Sequence, residues 1–162
     1  RMYGVAVKQV KGSADFIGLN YYTHVLTSPF LPQTTEIDLP SRNHETVTEF
    51  GYPMYAEGLD RASKWLSKLN LPIEITENGV ADKEDNLRPK HLKRHLWMIA
   101  KLIQEGIDIK SYYHWSLMDN FEWAEGYSMR FGLYHVDYET QTRTLRASGK
   151  AYQSIIKQHQ NN

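Results

Sequence analysis

Glu77 closes a short run, Pro72 to Glu77, in which apolar and polar residues alternate. A carboxylate at the end of a strand is placed to attack carbon or to take a proton. Strict alternation puts Ile73, Ile75 and Glu77 on one face, so that a row of apolar side chains ends in a carboxylate. The competing interpretation makes Asn78-Gly79 a type I′ hairpin turn with Glu77 as its exposed shoulder. The stretch Asp82-Lys83-Glu84-Asp85-Asn86 is a poor returning strand and weakens it. In an earlier run, Asn20 and Tyr22 are two apart and share a face, while Ile17, Leu19 and Tyr21 take the other. A hydrogen bond from the Tyr22 phenol would hold Glu77 ionised and oriented, as a nucleophile must be; a tyrosine reaching solvent at a strand end is the alternative. A third concentration is Trp115 with Asp119-Asn120-Phe121-Glu122-Trp123. Sugars offer C–H faces that pack on indole and hydroxyls that bond carboxylates and indole N–H, so Trp115, Glu122 and Trp123 suit a sugar subsite. An aromatic loop packed on itself is equally compatible with these residues.

Other chemistries find no support. His91 and His95 stand at i and i+4, but no Glu follows His91 as a zinc-peptidase helix needs, and they are expected on a basic, solvated helix face. Gly12, Gly18 and Gly51 form no phosphate-binding fingerprint, and no Gly-X-Ser-X-Gly elbow occurs. No metal or cofactor is expected. The 19 basic and 19 acidic residues balance, which argues against nucleic acid as a partner. No apolar run approaches the ~20 residues that span a bilayer, no signal-peptide core or Asn-X-Ser/Thr acceptor is visible, and a membrane partner is not expected. The absence of cysteine fits a reducing cytosol, so a soluble, cytoplasmic protein is expected.

The elements that must position these groups alternate. Strand-like runs at Asp15 to Thr23, Pro72 to Glu77 and Ile107 to Trp115 are each followed by helical periodicity. The first helix is Tyr55 to Leu69, with Leu59, Ala62, Leu66 and Leu69 on one face. The second is about Arg88 to Glu105, with Leu92, Leu96, Ile99, Leu102 and Ile103 at core spacing and Gly106 as its stop. The third is Ala147 to His159, with Ala151, Tyr152, Ile155 and Ile156 as its apolar face and a fraying polar tail. In the third strand Ile107, Ile109, Ser111, Tyr113 and Trp115 alternate onto one side. This order predicts an α/β fold with parallel strands and helical crossovers. Two connections exceed simple turns, His24 to Pro53 (with Pro29, Pro32, Pro40 and Pro53) and Ser116 to Leu145; the second should hold a hairpin around Gly132 to Thr142.

Ile75-Thr76-Glu77-Asn78-Gly79 together with Asn120-Phe121-Glu122-Trp123 closely resembles glycoside hydrolase family 1, whose nucleophile motif is Thr-Glu-Asn-Gly. The resemblance extends to Asp15 through Thr23, to Tyr55-Ala56-Glu57-Gly58-Leu59 and to Tyr127 through Leu133, in the family's order. It implies that residues 1–162 are the C-terminal part of a single catalytic barrel: the last three βα units, strands six to eight, of a (β/α)8 TIM barrel incomplete by itself. It implies a retaining β-glycosidase, foremost a β-glucosidase, acting on terminal β-D-glycosides or short oligosaccharides. Glu77 would be the nucleophile and Tyr22 its hydrogen-bond partner, and Asn20 would line the same pocket. Trp115 would floor the sugar subsite, Glu122 would bridge the O4 and O6 hydroxyls, Trp123 would contact O3, and Phe131 would form a wall. The family's acid/base glutamate lies in an Asn-Glu-Pro motif, absent here, so the N-terminal part of the barrel must come in cis or as a separate chain. The three units alone would leave Ile73, Ile75 and Tyr113 facing water. A non-catalytic sugar-binding or interaction fragment and a phospho-β-glycosidase are the alternatives. Glu122 speaks against the second, because it would repel a 6-phosphate. Myrosinase-like enzymes differ mainly at the missing acid/base position.

Overall fold

Leu92, Ile99 and Leu102 recur at helical spacing and Ile73 and Ile75 at strand spacing, and in the folded chain these two sets meet. The computed structural model describes residues 12–24 and 45–159. Pro29, Pro32 and Pro40 of the first long connection, and the end of the polar tail, lie outside the described residues. A parallel sheet runs in the order β1 (Ile17–Asn20), β2 (Ile73–Asn78), β3 (Ile109–His114). Between the strands come α1 (Glu57–Leu66), prolonged by a 3-10 turn over Ser67–Leu69, and α2 (Arg88–Gln104). An antiparallel hairpin of β4 (Tyr134–Val136) and β5 (Arg143–Leu145) then leads into α3 (Ala147–His159), as the periodicity predicts.

The helix boundaries have local causes. Asp82 Oδ2 accepts the amides of Leu87 and Arg88, filling the role of a cap where α2 begins, and Pro89 follows in the first turn. At the other end Gly106 N–H donates to Ile103 O and Ile107 N–H to Leu102 O, a Schellman closure that needs the left-handed φ of Gly106, +89°. Two apolar positions miss the core. Leu69 is 58% exposed, because the chain turns away through Asn70 at φ 56°, and Ile103 is 49% exposed in the last turn of α2. The apolar face of α3 is only half covered, with Tyr152 meeting the Tyr112 and His114 rings and Ile156 left exposed.

Alternation holds only in part along the strands. Ile73 and Ile75 are buried under α1 and α2 with Tyr21, Leu59, Met98, Ile99, Leu102 and Ile109. They do not share a face with Glu77 and do not face water. Residues Gly18 to Asn20 of β1 pair against Glu74 to Glu77 of β2, so β2 carries one extra residue there, and the parity of its side chains is reset before Glu77. A second shift lies where Ile73 to Glu74 meets Ile109 to Ser111. Tyr112 therefore joins Ile109 on the helix side, while Tyr113 turns to the other face and is 54% exposed, as expected. On that face Gly18, Asn20 and Lys110 are exposed as well.

The expectation of a solvated histidine face is overturned. His91 and His95 are each 1% exposed and stack at 3.9 Å between ring centroids, taking inward positions of α2 that continue through Met98, Ile99 and Leu102. Burial lowers His95 to about 4 and His114 to about 3, and holds His91 well below the ordinary histidine range. The unfolded chain then binds more protons than the folded one as pH falls below about 6.5, so stability present above that pH is lost progressively towards pH 4. Urea midpoints should therefore drop between pH 7 and pH 5, and equal midpoints would show that the buried rings are not neutral.

Candidate active site

The three strand ends are tied together by Asn78. Its side-chain amide donates to Tyr21 O at 2.7 Å and its carbonyl accepts the Tyr112 hydroxyl at 3.0 Å, so one buried residue spans β1, β2 and β3. Asn78-Gly79 is not a hairpin turn, since β2 pairs in parallel on both sides and the chain continues to α2. Glycine is required at 79 by close approach: a Cβ there would fall 1.7 Å from Trp115 O.

One residue earlier, the Tyr22 hydroxyl donates to Glu77 Oε2 at 2.7 Å. Burial first, then the hydrogen bond and charge of Glu77 and the charge of Glu122, push the Tyr22 phenol far above its ordinary range. It remains a donor at any working pH. Its ring is boxed by Tyr52 at 6.4 Å and edge-on by Phe131 at 6.2 Å, with Phe50 at 4.7 Å from Tyr52 and 5.9 Å from Phe131. Beyond β3, Trp115 Nε1–H donates to Glu122 Oε1 at 3.0 Å, and the Asn120 amide donates to the same oxygen at 2.7 Å. Tyr22, Glu77, Trp115, Glu122, Trp123 and Phe131 line one cavity of about 280 Å³ with Phe50 and Tyr52. Trp123 stands at its mouth, 84% exposed. Asn20 lies outside this lining: it pairs across from Glu77 and accepts the Thr76 hydroxyl at 2.7 Å on the open face of the sheet.

Three contributors escaped the sequence. Phe50 and Tyr52 sit on a tight turn closed by Thr48 N–H to Tyr52 O, with Gly51 at φ 79°, and Glu49 anchors the turn to the Lys83 amide. Their signal was two aromatics flanking a glycine before Pro53. Asp119 is the third. Its buried carboxylate accepts the amides of Gly132 and Val136 and pairs with Arg146 at 2.8 Å and Arg130 at 3.3 Å, which ties the loop bearing Glu122 to β4 and to the residue before α3. Only its presence in an acidic and aromatic cluster marked it.

The arrangement offers two carboxylates to one aromatic-walled cavity, one oriented by a phenol and one by two N–H donors. That suits a polyhydroxylated ligand with apolar C–H faces. Among the described residues no group of three or more His, Cys, Asp or Glu is placed to hold a metal ion, and no helix is long and apolar enough to cross a membrane.

Comparison with known proteins agrees with this chemistry. The model of glycosyl hydrolase family 1 matches residues 5–161. The β-galactosidase of Sulfolobus acidocaldarius is 36% identical over 160 residues, which cover 93% of this chain and 33% of that protein. The hyperthermophilic β-glucosidase of Pyrococcus furiosus superposes with a TM-score of 0.83 at 40% identity, over 91% of this chain and 34% of that one. The Thermotoga maritima β-glucosidase in complex with glucoimidazole gives 0.80 at 37%, over 91% and 35%. The chain spans about a third of the length of the curated relatives it matches. With the match running through almost every residue, the chain belongs to glycosyl hydrolase family 1.

Proposed function

We propose that residues 1–162 form the C-terminal three βα units, strands six to eight, of a (β/α)8 barrel in a retaining β-glycosidase, foremost a β-glucosidase. The observation that carries this is the Tyr22 to Glu77 hydrogen bond of 2.7 Å, at the C-terminal strand ends where such barrels keep their sites. Glu77 attacks the anomeric carbon and forms a glycosyl ester, and Tyr22 fixes the attacking carboxylate. Trp115 floors the sugar, Glu122 takes the O4 and O6 hydroxyls, Trp123 the O3 hydroxyl, and Phe131 the pocket wall. Asn20, now on the open face, lines the site once the barrel is complete. The acid that protonates the leaving oxygen belongs to the remaining barrel units, in cis or on a separate chain. In retaining enzymes the two carboxyl groups stand ~5–5.5 Å apart.

Family membership, β-glucosidases and β-galactosidases among the relatives, and the glucoimidazole complex of the Thermotoga maritima enzyme support a β-glucoside or β-galactoside as substrate. The carboxylate of Glu122 in the cavity disfavours a 6-phosphorylated sugar. The reading is tested by trapping. In the completed barrel, a 2-deoxy-2-fluoro β-glucoside with a good leaving group should accumulate as a covalent ester, because fluorine slows its hydrolysis. Peptide mapping should find the label on Glu77; label on Glu74, Glu122 or Glu125 overturns the assignment.

A further inference from the structure

The geometry points to Asn120 as a positioning residue that sets the orientation of Glu122 and leaves one of its oxygens for the sugar, an inference that rests on the sugar-binding role proposed for Glu122. Asn120 Nδ2 is 2.7 Å from Glu122 Oε1, and Trp115 Nε1 reaches the same atom at 3.0 Å. Both donors therefore converge on Oε1, and among the described residues no protein donor meets Oε2. The amide is oriented by its surroundings. Its Oδ1 faces the Ser116 hydroxyl at 3.0 Å and its other N–H reaches Phe121 O at 3.3 Å, whereas a flipped amide would set two oxygens against each other at 2.7 Å. The Asn120 backbone is fixed in turn by the Tyr138 hydroxyl, which donates to its carbonyl at 3.1 Å.

A carboxylate with one oxygen saturated presents two lone pairs on the other in a fixed direction, which is what adjacent hydroxyls of a pyranose need. Asn120 thus acts on the substrate through Glu122 without touching it. The neighbouring charges do not replace it. Glu77 is engaged by the Tyr22 hydroxyl, and Asp119 is turned into Arg130 and Arg146.

The test compares, in the completed barrel, an aryl β-glucoside with its 4,6-dideoxy analogue, which lacks the hydroxyls assigned to Glu122. Asn120→Ala should lower kcat/KM for the glucoside about 10- to 100-fold, the effect of one charge-assisted hydrogen bond, and for the analogue by less than about threefold. Asn120→Asp puts a second carboxyl against Glu122, and such a pair keeps one shared proton as donor. Its alkaline limb should therefore move to lower pH with the glucoside and stay in place with the analogue. Equal losses on both substrates, or an Asp variant with an unchanged profile, would overturn the role of Asn120. Glu122→Ala is the control that separates the two claims. If it fails to discriminate between the substrates, the role of Glu122 falls and Asn120 with it. If Glu122→Ala discriminates and the Asn120 variants do not, only the inference about Asn120 is wrong.

Discussion

Glu77→Ala in the completed barrel is expected to lower kcat on an aryl β-glucoside by on the order of 10⁴-fold or more, while the sugar still binds within a few-fold of its ordinary affinity. A covalent nucleophile acts only as the bond to carbon forms, so its removal should leave the ground-state contacts proposed for Trp115, Glu122 and Trp123 in place. The size follows from the loss of the two-step route itself, which isolated hydrogen bonds do not replace. The deleted carboxylate also leaves a space beside the Tyr22 hydroxyl, which now bonds Glu77 Oε2. A small anion such as azide should enter it and attack from the face Glu77 uses, giving a glycosyl azide of inverted configuration. Nuclear magnetic resonance of the product reads that configuration. Near-normal hydrolysis, or an azide product of retained configuration, would remove Glu77 from the role of nucleophile.

The second expected result is that residues 1–162 alone show no measurable turnover of ordinary β-glucosides, and that activity appears when the N-terminal barrel units are supplied in trans. Only three parallel strands are present among the described residues, with β1 and β3 as edges, and an eight-stranded barrel cannot close on them. On the proposed mechanism the leaving alkoxide would also lack its proton donor, and general acid catalysis contributes ~10² to 10⁴ in rate. Self-association should run through the strand edges more than through the open face. Ile73 and Ile75 are covered by helices, and Gly18, Asn20 and Lys110 are exposed on that face beside Tyr113. Size-exclusion chromatography and an aryl glucoside assay, before and after mixing, decide the matter. Robust turnover by a monodisperse chain of this length would refute the requirement for the missing units.

Element order was legible because the helices announce themselves by periods sustained over ten or more residues, as with Leu92, Ile99 and Leu102, and by the stop at Gly106, while the strands stand between them as short apolar runs. Side-chain direction at the strand ends was not. One extra residue in β2 between Glu74 and Glu77 reverses parity, and nothing in the residue types of Ile-Thr-Glu-Asn announces it. Tyr22 and Glu77 still meet where the strands end, although Ile73 and Ile75 point to the other face. His91 and His95 were misjudged for a different reason. Flanking Lys93 and Arg94 are solvated, but the histidines lie on the stripe that packs inward with Leu92, Met98 and Ile99. Phe50 and Tyr52 were hidden by distance in sequence, since only folding brings a turn at 48–52 against Tyr22 and Phe131.

Asp119 does not line the cavity that holds Glu77 and Glu122, yet it bears on how tightly a small ligand can be held. With its carboxylate shielded from water and engaged by two amides and two guanidinium groups, the loop that carries Glu122 and Trp123 is ordered before any sugar arrives. A monosaccharide has few atoms with which to offset the entropy lost when a receptor becomes rigid. In the proposed sugar site that loss would be incurred during folding, which would leave most of the contact energy of each hydroxyl available as affinity.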